Sequence, residues 1–265
     1  MLRHVRAQMP SESLLYLADQ AHVPYGARSL AEIRYFSEGL TRFLLAQQAK
    51  LIVVACNTAS AAALNQLRLT FPDVPFVGME PAVKPAAAQT RSGKVGVLAT
   101  PGTFQSERYA DLMARFAREI VVLEAPCRGL VEQIEAGAVA SDETERLLRT
   151  CLEPMLAAGV DTLVLGCTHY PFVTPLIERI VGPAAAIIDP APAVASQTKR
   201  LLQQRGLLAG SGQIGQVRLL TTGNVHTLRQ LVQQLLGFHG RVETVVWQDG
   251  LLVRAVPGTG RRESP

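Results

Sequence analysis

At 265 residues, 48% hydrophobic and 18% charged, the chain has the composition of a globular protein with ample material for a core, and not that of a disordered one. Aromatics are sparse at 5%, and the net charge of +4 comes from Lys and Arg scattered over helical segments, with one small cluster in "GRRESP"; without a basic stripe or binding motif, nucleic acid is excluded as a partner. Four cysteines lacking CxxC or Cys/His spacing make neither a disulfide framework nor a zinc site, no apolar run reaches the length of a membrane span, and "MLRHVRAQMP" has no signal-peptide core, so the expectation is a soluble cytoplasmic protein with reduced thiols and no membrane contact.

In chain order, residues 2–8 read as the end of a helix and "LLYLA" (14–18) as a short strand. Ser29 has the form of an N-cap, and Glu32 three residues on completes a capping box, which predicts a helix to about Gln48. "KLIVVA" (50–55) is continuous, β-branched and short, the pattern of a buried parallel strand. A helix is predicted to start just after Cys56, and "VPFVGM" (74–79) reads as the next strand.

From about residue 80 the pattern restarts. "KVGVLAT" (94–100) is a strand, 103–117 a helix, "EIVVLEA" (119–125) a strand, and 128–137 and 142–157 are helices. "DTLVLG" (161–166) is a strand, "YPFVTPLIERIVG" a helix and "AAIIDPA" a strand; a helix (192–205), a Gly/Ser loop, "VRLLTTG", a helix (225–236) and "VETVVW" complete the pattern. Strands alternating with helices at this spacing predict parallel sheets built from right-handed crossovers. The fold class is therefore α/β, with two pseudo-symmetric domains and an active site in the cleft between them. The expected division is 1–79 with 190–249 as one domain, 80–189 as the other, and 250–265 as a loose tail rich in Gly, Pro and Arg.

Two of the four cysteines sit alike, Cys56 in "LIVVACNTAS" and Cys167 in "LVLGCTHYPF", each where an apolar strand turns toward a helix. Ligands of parallel α/β sheets bind at this end of the strands. A following helix N-terminus lowers a thiol's pKa and its N–H groups can hold a carboxylate, so both cysteines are expected to be reactive. Cys127 and Cys151 lack polar partners and read as small buried hydrophobes. Two facing thiols could serve one metal ion, although two Cys and one His make a short ligand set. They could form a disulfide switch, or move protons on opposite faces of one carbon. His169, two residues past Cys167, is placed to poise that thiol.

At these residues the chain resembles the glutamate racemases, of the cofactor-independent Asp/Glu racemase superfamily. The resemblance is carried by "VACNTAS" (54–60), "LGCTHYP" (165–171), "ADQAHVPYG" (18–26), "GVLATPGT" (96–103) and "LVEQIEAG" (130–137), in order and over nearly the whole chain to about residue 247. It implies reversible interconversion of L- and D-glutamate, supplying D-glutamate for peptidoglycan, with glutamate as the small-molecule partner and no cofactor. It gives Cys56 and Cys167 the acid/base roles on the two faces of Cα. It makes Asn57, Thr58 and Thr168 ligands of the α-carboxylate and amino group, helped by Tyr25 and Gly26, and Thr100 and Thr103 further ligands from a substrate loop. His169 becomes the auxiliary acid/base beside Cys167, and Glu135 matches the glutamate on the same side of the cleft. Each has a plainer alternative: Tyr25 and Gly26 as a tight turn after Pro24, and Glu135 as a solvated helix charge. His22 is expected to serve its loop. A homodimer is one assembly compatible with this reading.

The family opens with a strand and an Asp-Ser-Gly-x-Gly-Gly turn, for which this chain has no counterpart; "LRHVRAQMP" matches the helix that follows that turn. The resemblance makes the aspartate of that turn the partner of the first cysteine. Losing a central parallel strand leaves its neighbours' hydrogen bonds unpaired. The expectation is that the start is misplaced and that the upstream frame encodes the strand; otherwise the chain is weakly active or inactive. Racemisation of aspartate, a binding protein that grips an amino acid without chemistry, and a Cys56–Cys167 redox switch are the competing readings.

Overall fold

The Ser29 hydroxyl accepts the Glu32 N–H while the Glu32 carboxylate accepts the Ser29 N–H, so the capping box is formed and helix α2 (Leu30–Ala46) begins where the sequence predicts. Such a cap contributes about 1 kcal/mol. The structure, a computed structural model, describes residues 1–210, 212 and 214–255. Before α2 come α1 (Leu2–Gln8) and β1 (Leu14–Ala18); after it come β2 (Ile52–Val53), α3 (Asn57–Thr70) and β3 (Phe76–Val77).

The middle of the chain builds a four-stranded, all-parallel sheet. Its elements are α4 (Val83–Gln89), β4 (Lys94–Ala99), α5 (Pro101–Phe104), α6 (Glu107–Phe116), β5 (Val121–Pro126), α7 (Leu130–Glu135), α8 (Asp142–Ala157), β6 (Thr162–Leu165), α9 (Thr174–Val181) and β7 (Ala186–Ile188), with strand order β5-β4-β6-β7. Val95, Val97 and Ala99 pack on one side with Val83, Ala86, Tyr109 and Leu112 of α4 and α6. Leu98, Leu163 and Leu165 pack on the other with Leu130, Leu148, Leu152 and Ile177 of α7, α8 and α9. Both faces are covered, which is why these strands read as unbroken apolar runs.

The chain then returns through α10 (Ala191–Gln204), β8 (Val217–Thr221), α11 (Val225–Leu236), β9 (Val242–Gln248) and β10 (Leu251–Arg254). β8 lies parallel between β1 and β9, and β10 closes the edge antiparallel to β9. β10 corrects the expected loose tail at residues 251–254. Asp249 and Gly250, both at positive φ, make a tight Asp-Gly hairpin that folds "LLVR" back on β9, with Leu252 buried. Residues 256–265, including "GRRESP", lie outside the described residues.

β2 and β3 pair with each other alone and are two residues long, where strands of six residues each are predicted. Their neighbour explains it. The Leu14 N–H donates to the Gln216 carbonyl at 2.7 Å and the Thr222 N–H to the Ala18 carbonyl at 3.0 Å, so Leu14, Tyr16 and Ala18 direct their backbone groups at β8. By the alternation of a parallel ladder, Leu15 and Leu17 direct theirs away. On β2, the Ile52 N–H donates to Pro75 and the Val54 N–H to Val77, which turns the backbone of Val53 and Ala55 away from β3. Leu15, Leu17, Val53 and Ala55 all line one cavity of about 300 Å³. β1 and β2 do not pair across it, and the sheet comes in two pieces.

Two helices also depart from expectation. The one predicted over 103–117 is split at Gln105, because Ser106 caps a new helix through the Tyr109 N–H. The one predicted after Cys167 starts as a short 3-10 turn, Tyr170–Val173, and becomes α-helical only at Thr174. No helix among the described residues is long and apolar enough to cross a membrane.

Candidate functional site

Cys56 follows β2 as the N-cap of α3, its sulfur accepting the Ala59 N–H at 3.4 Å. Cys167 follows β6 after Gly166, whose N–H donates to the Leu98 carbonyl at 2.7 Å and holds the turn against β4. The two thiols therefore come from different sheets, and both line the same cavity. With them are Tyr25, Gly26, Asn57, Thr58, Thr100, Glu135, Thr168 and His169, every site residue expected from the sequence except Thr103. Thr103 stands one layer behind that wall. It is 1% exposed and its hydroxyl lies 3.3 Å from that of Thr58 and 3.2 Å from that of Thr100, which in turn are 2.8 Å apart. It braces two hydroxyls that face the cavity and does not face it itself.

Asn57 is 3% exposed, yet neither its side-chain oxygen nor its nitrogen has a hydrogen-bond partner. A buried amide left unpaired costs about 1–3 kcal/mol per group, and this one lies in the wall of the cavity. Gly26 supports the same wall, since a Cβ there would come within 2.8 Å of the Thr100 Cβ. Only a glycine lets the Tyr25–Gly26 backbone approach that closely.

On the Cys167 side a relay is formed. His169 Nδ1 faces the Cys167 sulfur at 3.8 Å, and His169 Nε2 lies 2.7 Å from Glu135 Oε1, at the last residue of α7. Burial works to lower the imidazole pKa, but Cys167 and Glu135 outweigh it and raise it to about 10. Burial likewise works to raise the Glu135 carboxyl, and is overcome by His169 and by the Gln20 amide, which hold it below its ordinary value. The pair is thus an imidazolium and a carboxylate across the neutral range. The reading of Glu135 as a solvated charge gives way to a partner of His169.

Cys56 is different and corrects the expectation of a lowered pKa. Burial pushes its thiol up to about 11, against the Ala59 N–H, with the nearby Cys167 adding to the rise. The helix N-terminus is present, but desolvation of the thiolate wins. For Cys167 the expected helix N-terminus is itself lacking, because the 3-10 turn intervenes. Cys127 packs in the core with Cys151 against it, as expected of small hydrophobes.

Sequence reasoning missed Asp19. Its buried carboxylate, at the end of β1, accepts the Tyr25 hydroxyl at 2.6 Å, the Thr222 hydroxyl at 2.8 Å and the Trp247 indole N–H at 3.0 Å, with His22 Nδ1 at 2.9 Å. His22 also stacks on Phe36 with ring centres 3.7 Å apart, which places it in loop packing as expected. Among the described residues, no cluster of three or more His, Cys, Asp or Glu side chains is placed to hold a metal ion. The cavity has room for a small polar molecule beside two thiols, one facing a charged imidazole and the other accepting a backbone N–H.

Residues 1–198 match the family model described as Asp/Glu/hydantoin racemase. The chain is 52% identical over 237 residues to the glutamate racemase of Pseudomonas aeruginosa strain PAO1, covering 89% of each. It is 50% identical over 247 residues to that of Roseiflexus sp. strain RS-1, covering 93% of this chain and 91% of the relative. Among solved structures, a glutamate racemase isoform of Bacillus anthracis superposes with a TM-score of 0.82 at 30% identity over 94% of this chain and 93% of that one. The Escherichia coli glutamate racemase, solved with L-glutamate and the activator UDP-MurNAc-ala, superposes with a TM-score of 0.80 at 30% identity over 92% of each.

Proposed function

The chain belongs to the Asp/Glu/hydantoin racemase family, and from that premise we propose that it interconverts L- and D-glutamate without a resident cofactor, the two thiols acting on opposite faces of one Cα–H. The observation that carries this is the meeting of Cys56 and Cys167, from separate sheets, in one cavity that also presents the unpartnered Asn57 amide. In one direction a thiolate on one face takes the α-proton, and the electron pair left on carbon spreads into the α-carboxylate. The thiol on the other face gives its proton to that carbon. The enzyme ends with its two sulfurs in exchanged protonation states, which proton exchange restores.

Asn57, Thr58, Thr168 and the Tyr25–Gly26 backbone are the donors and acceptors for the carboxylate and amino groups, and Thr100 extends that wall. Donors fixed before the substrate arrives stabilise the negative charge that develops on the carboxylate. His169, kept protonated by Cys167 and Glu135, serves as the auxiliary acid/base beside Cys167. The supporting division of the chain is 1–79 with 190–249, extended through β10 to Arg254, as one domain and 80–189 as the other, the cavity lying between. Supply of D-glutamate for peptidoglycan by a cytoplasmic enzyme is the role this activity serves.

The test is exchange of the glutamate α-proton with solvent deuterium, starting from either enantiomer and with aspartate in parallel, alongside polarimetry. Racemisation without added cofactor, lost in Cys56→Ala and in Cys167→Ala, is expected. Undiminished racemisation in both variants overturns the two-thiol reading, and turnover of aspartate with none of glutamate overturns the substrate.

A further inference from the structure

Gln20, two residues past β1, reaches out of its own sheet. Its Oε1 accepts the Thr221 hydroxyl at 2.8 Å, and its Nε2 donates to Glu135 Oε2 at 3.2 Å. The Glu135 carboxylate can only accept, so the amide end that faces it is the N–H₂ group, and the amide oxygen is left to accept the Thr221 hydroxyl, whose own oxygen accepts the Gly223 N–H at 2.9 Å. The space for this is built in, since a Cβ on Gly223 would come within 2.7 Å of the Gln20 Cβ. Both oxygens of Glu135 are then in use, Oε2 by the amide and Oε1 by His169.

We propose that Gln20 is a positioning residue for this reaction, holding the Glu135 carboxylate toward His169 and so holding the imidazole against Cys167. The proposal rests on the reading of Cys167 as an acid/base group. An uncharged donor suits this place. A Lys or Arg there would compete with His169 for the carboxylate, an acid would repel it, and an apolar side chain would leave Oε2 partly buried and unpaired. The titratable groups that bear on Glu135 are His169, from the turn after β6, and Tyr16 of β1, whose phenol is pushed up to about 12 by burial and then by the Glu135 charge. Beyond the imidazole stands Cys167, and across the cavity Cys56. Because Gln20 follows β1 and Thr221 ends β8, while Glu135 ends α7 and Cys167 and His169 follow β6 on the other sheet, the relay is complete only when the two halves are in contact.

The test is a histidine-labelled NMR titration of the full chain, with the His169 signal identified by its loss in His169→Gln, together with racemisation kinetics. The isosteric, apolar Gln20→Met should lower the His169 titration midpoint by about one pH unit and kcat by about tenfold, with KM changed less than about twofold. Thr221→Val, which leaves the amide in place but removes its orienting hydroxyl, should move both in the same direction by less, and decides the matter if Gln20→Met does not fold. An unmoved His169 midpoint in the folded variants overturns the proposal, as does a rise in KM with kcat unchanged. A shifted midpoint in a protein that racemises nothing leaves the relay standing and overturns the proposed activity instead.

Discussion

Glu135 Oε1 lies 2.7 Å from His169 Nε2, and the opposite nitrogen of the same ring faces the Cys167 sulfur. Each neighbour favours the charged imidazole, so His169 carries a folded-state pKa of about 10 against an ordinary value of 6.5. A raised basic pKa contributes stability that is fully present below pH 6.5 and is lost as pH rises through 10. Glu135 works the other way. Its lowered pKa contributes stability present above its ordinary value of 4.5 and lost as pH falls through the lower folded-state value. Thermal unfolding of the wild type should therefore weaken between pH 7 and 10.5 by more than that of His169→Gln. Parallel curves for the two proteins would remove the ion pair from the account.

Cys56 leads to a kinetic prediction. With its thiol pushed up to about 11 by burial, it is almost wholly protonated at pH 7. Among the described residues, neither a carboxylate nor an imidazole hydrogen-bonds to it; its sulfur accepts a backbone N–H. Racemisation by residues 1–265 should be weak at neutral pH and should rise with pH through the range where this thiol ionises. Carbamidomethylation by iodoacetamide, followed residue by residue by mass spectrometry, should show the same rise at Cys56. Fast turnover at pH 7 with a flat pH profile would show that the thiol is activated by another route.

Asn57 should show opposite effects on folding and on binding. Its amide is buried and unpaired, so Asn57→Ala removes two unsatisfied polar atoms and should leave the melting temperature of the free protein unchanged or raised. The same change should raise KM for glutamate about tenfold or more, the cost of about one charge-assisted hydrogen bond. Glutamate should also stabilise the wild type against heat by more than it stabilises the variant. An equal shift in both would mean that the amide does not meet the substrate.

What the sequence made legible was whatever is decided locally. The Ser29–Glu32 box, the helix opening after Cys56 and the helix over 225–236 depend on neighbours a few residues away, and all are formed as read. The clustering of Cys56, Asn57, Cys167 and His169 was legible because the two strand-to-turn motifs repeat. The distant partners of Gln20 and Asp19, namely Glu135, Thr221, Thr222 and Trp247, were not, since they stand 115 to 228 residues away in the chain and leave no periodic signal. The raised pKa of Cys56 was missed for a related reason: a helix N-terminus can be read from spacing, whereas the burial that outweighs it is a property of the assembled cavity. Strand length failed in the same way, because β2 and β3 end where their pairing ends and not where their apolar residues do.

That last point gives a prediction about dynamics. Leu15, Leu17 and Val53 direct their backbone N–H groups into the cavity between β1 and β2, whereas Tyr16 and Ala18 direct theirs at β8. An amide bonded inside a sheet exchanges its hydrogen only when the ladder opens, and one facing a cavity need not wait. Amide exchange in deuterated buffer should thus alternate along β1, fast at Leu15 and Leu17 and slow at Tyr16 and Ala18. Leu219 and Leu220 of the fully flanked β8 should be slower still. Glutamate, if it enters between the thiols as proposed, should protect Asn57 and Thr58 at the start of α3 without erasing that alternation, because these residues lie past the end of β2, beyond the strand edges themselves. Uniform slow exchange along β1 would show that its outer edge is paired in solution, and that the two pieces of sheet are joined there.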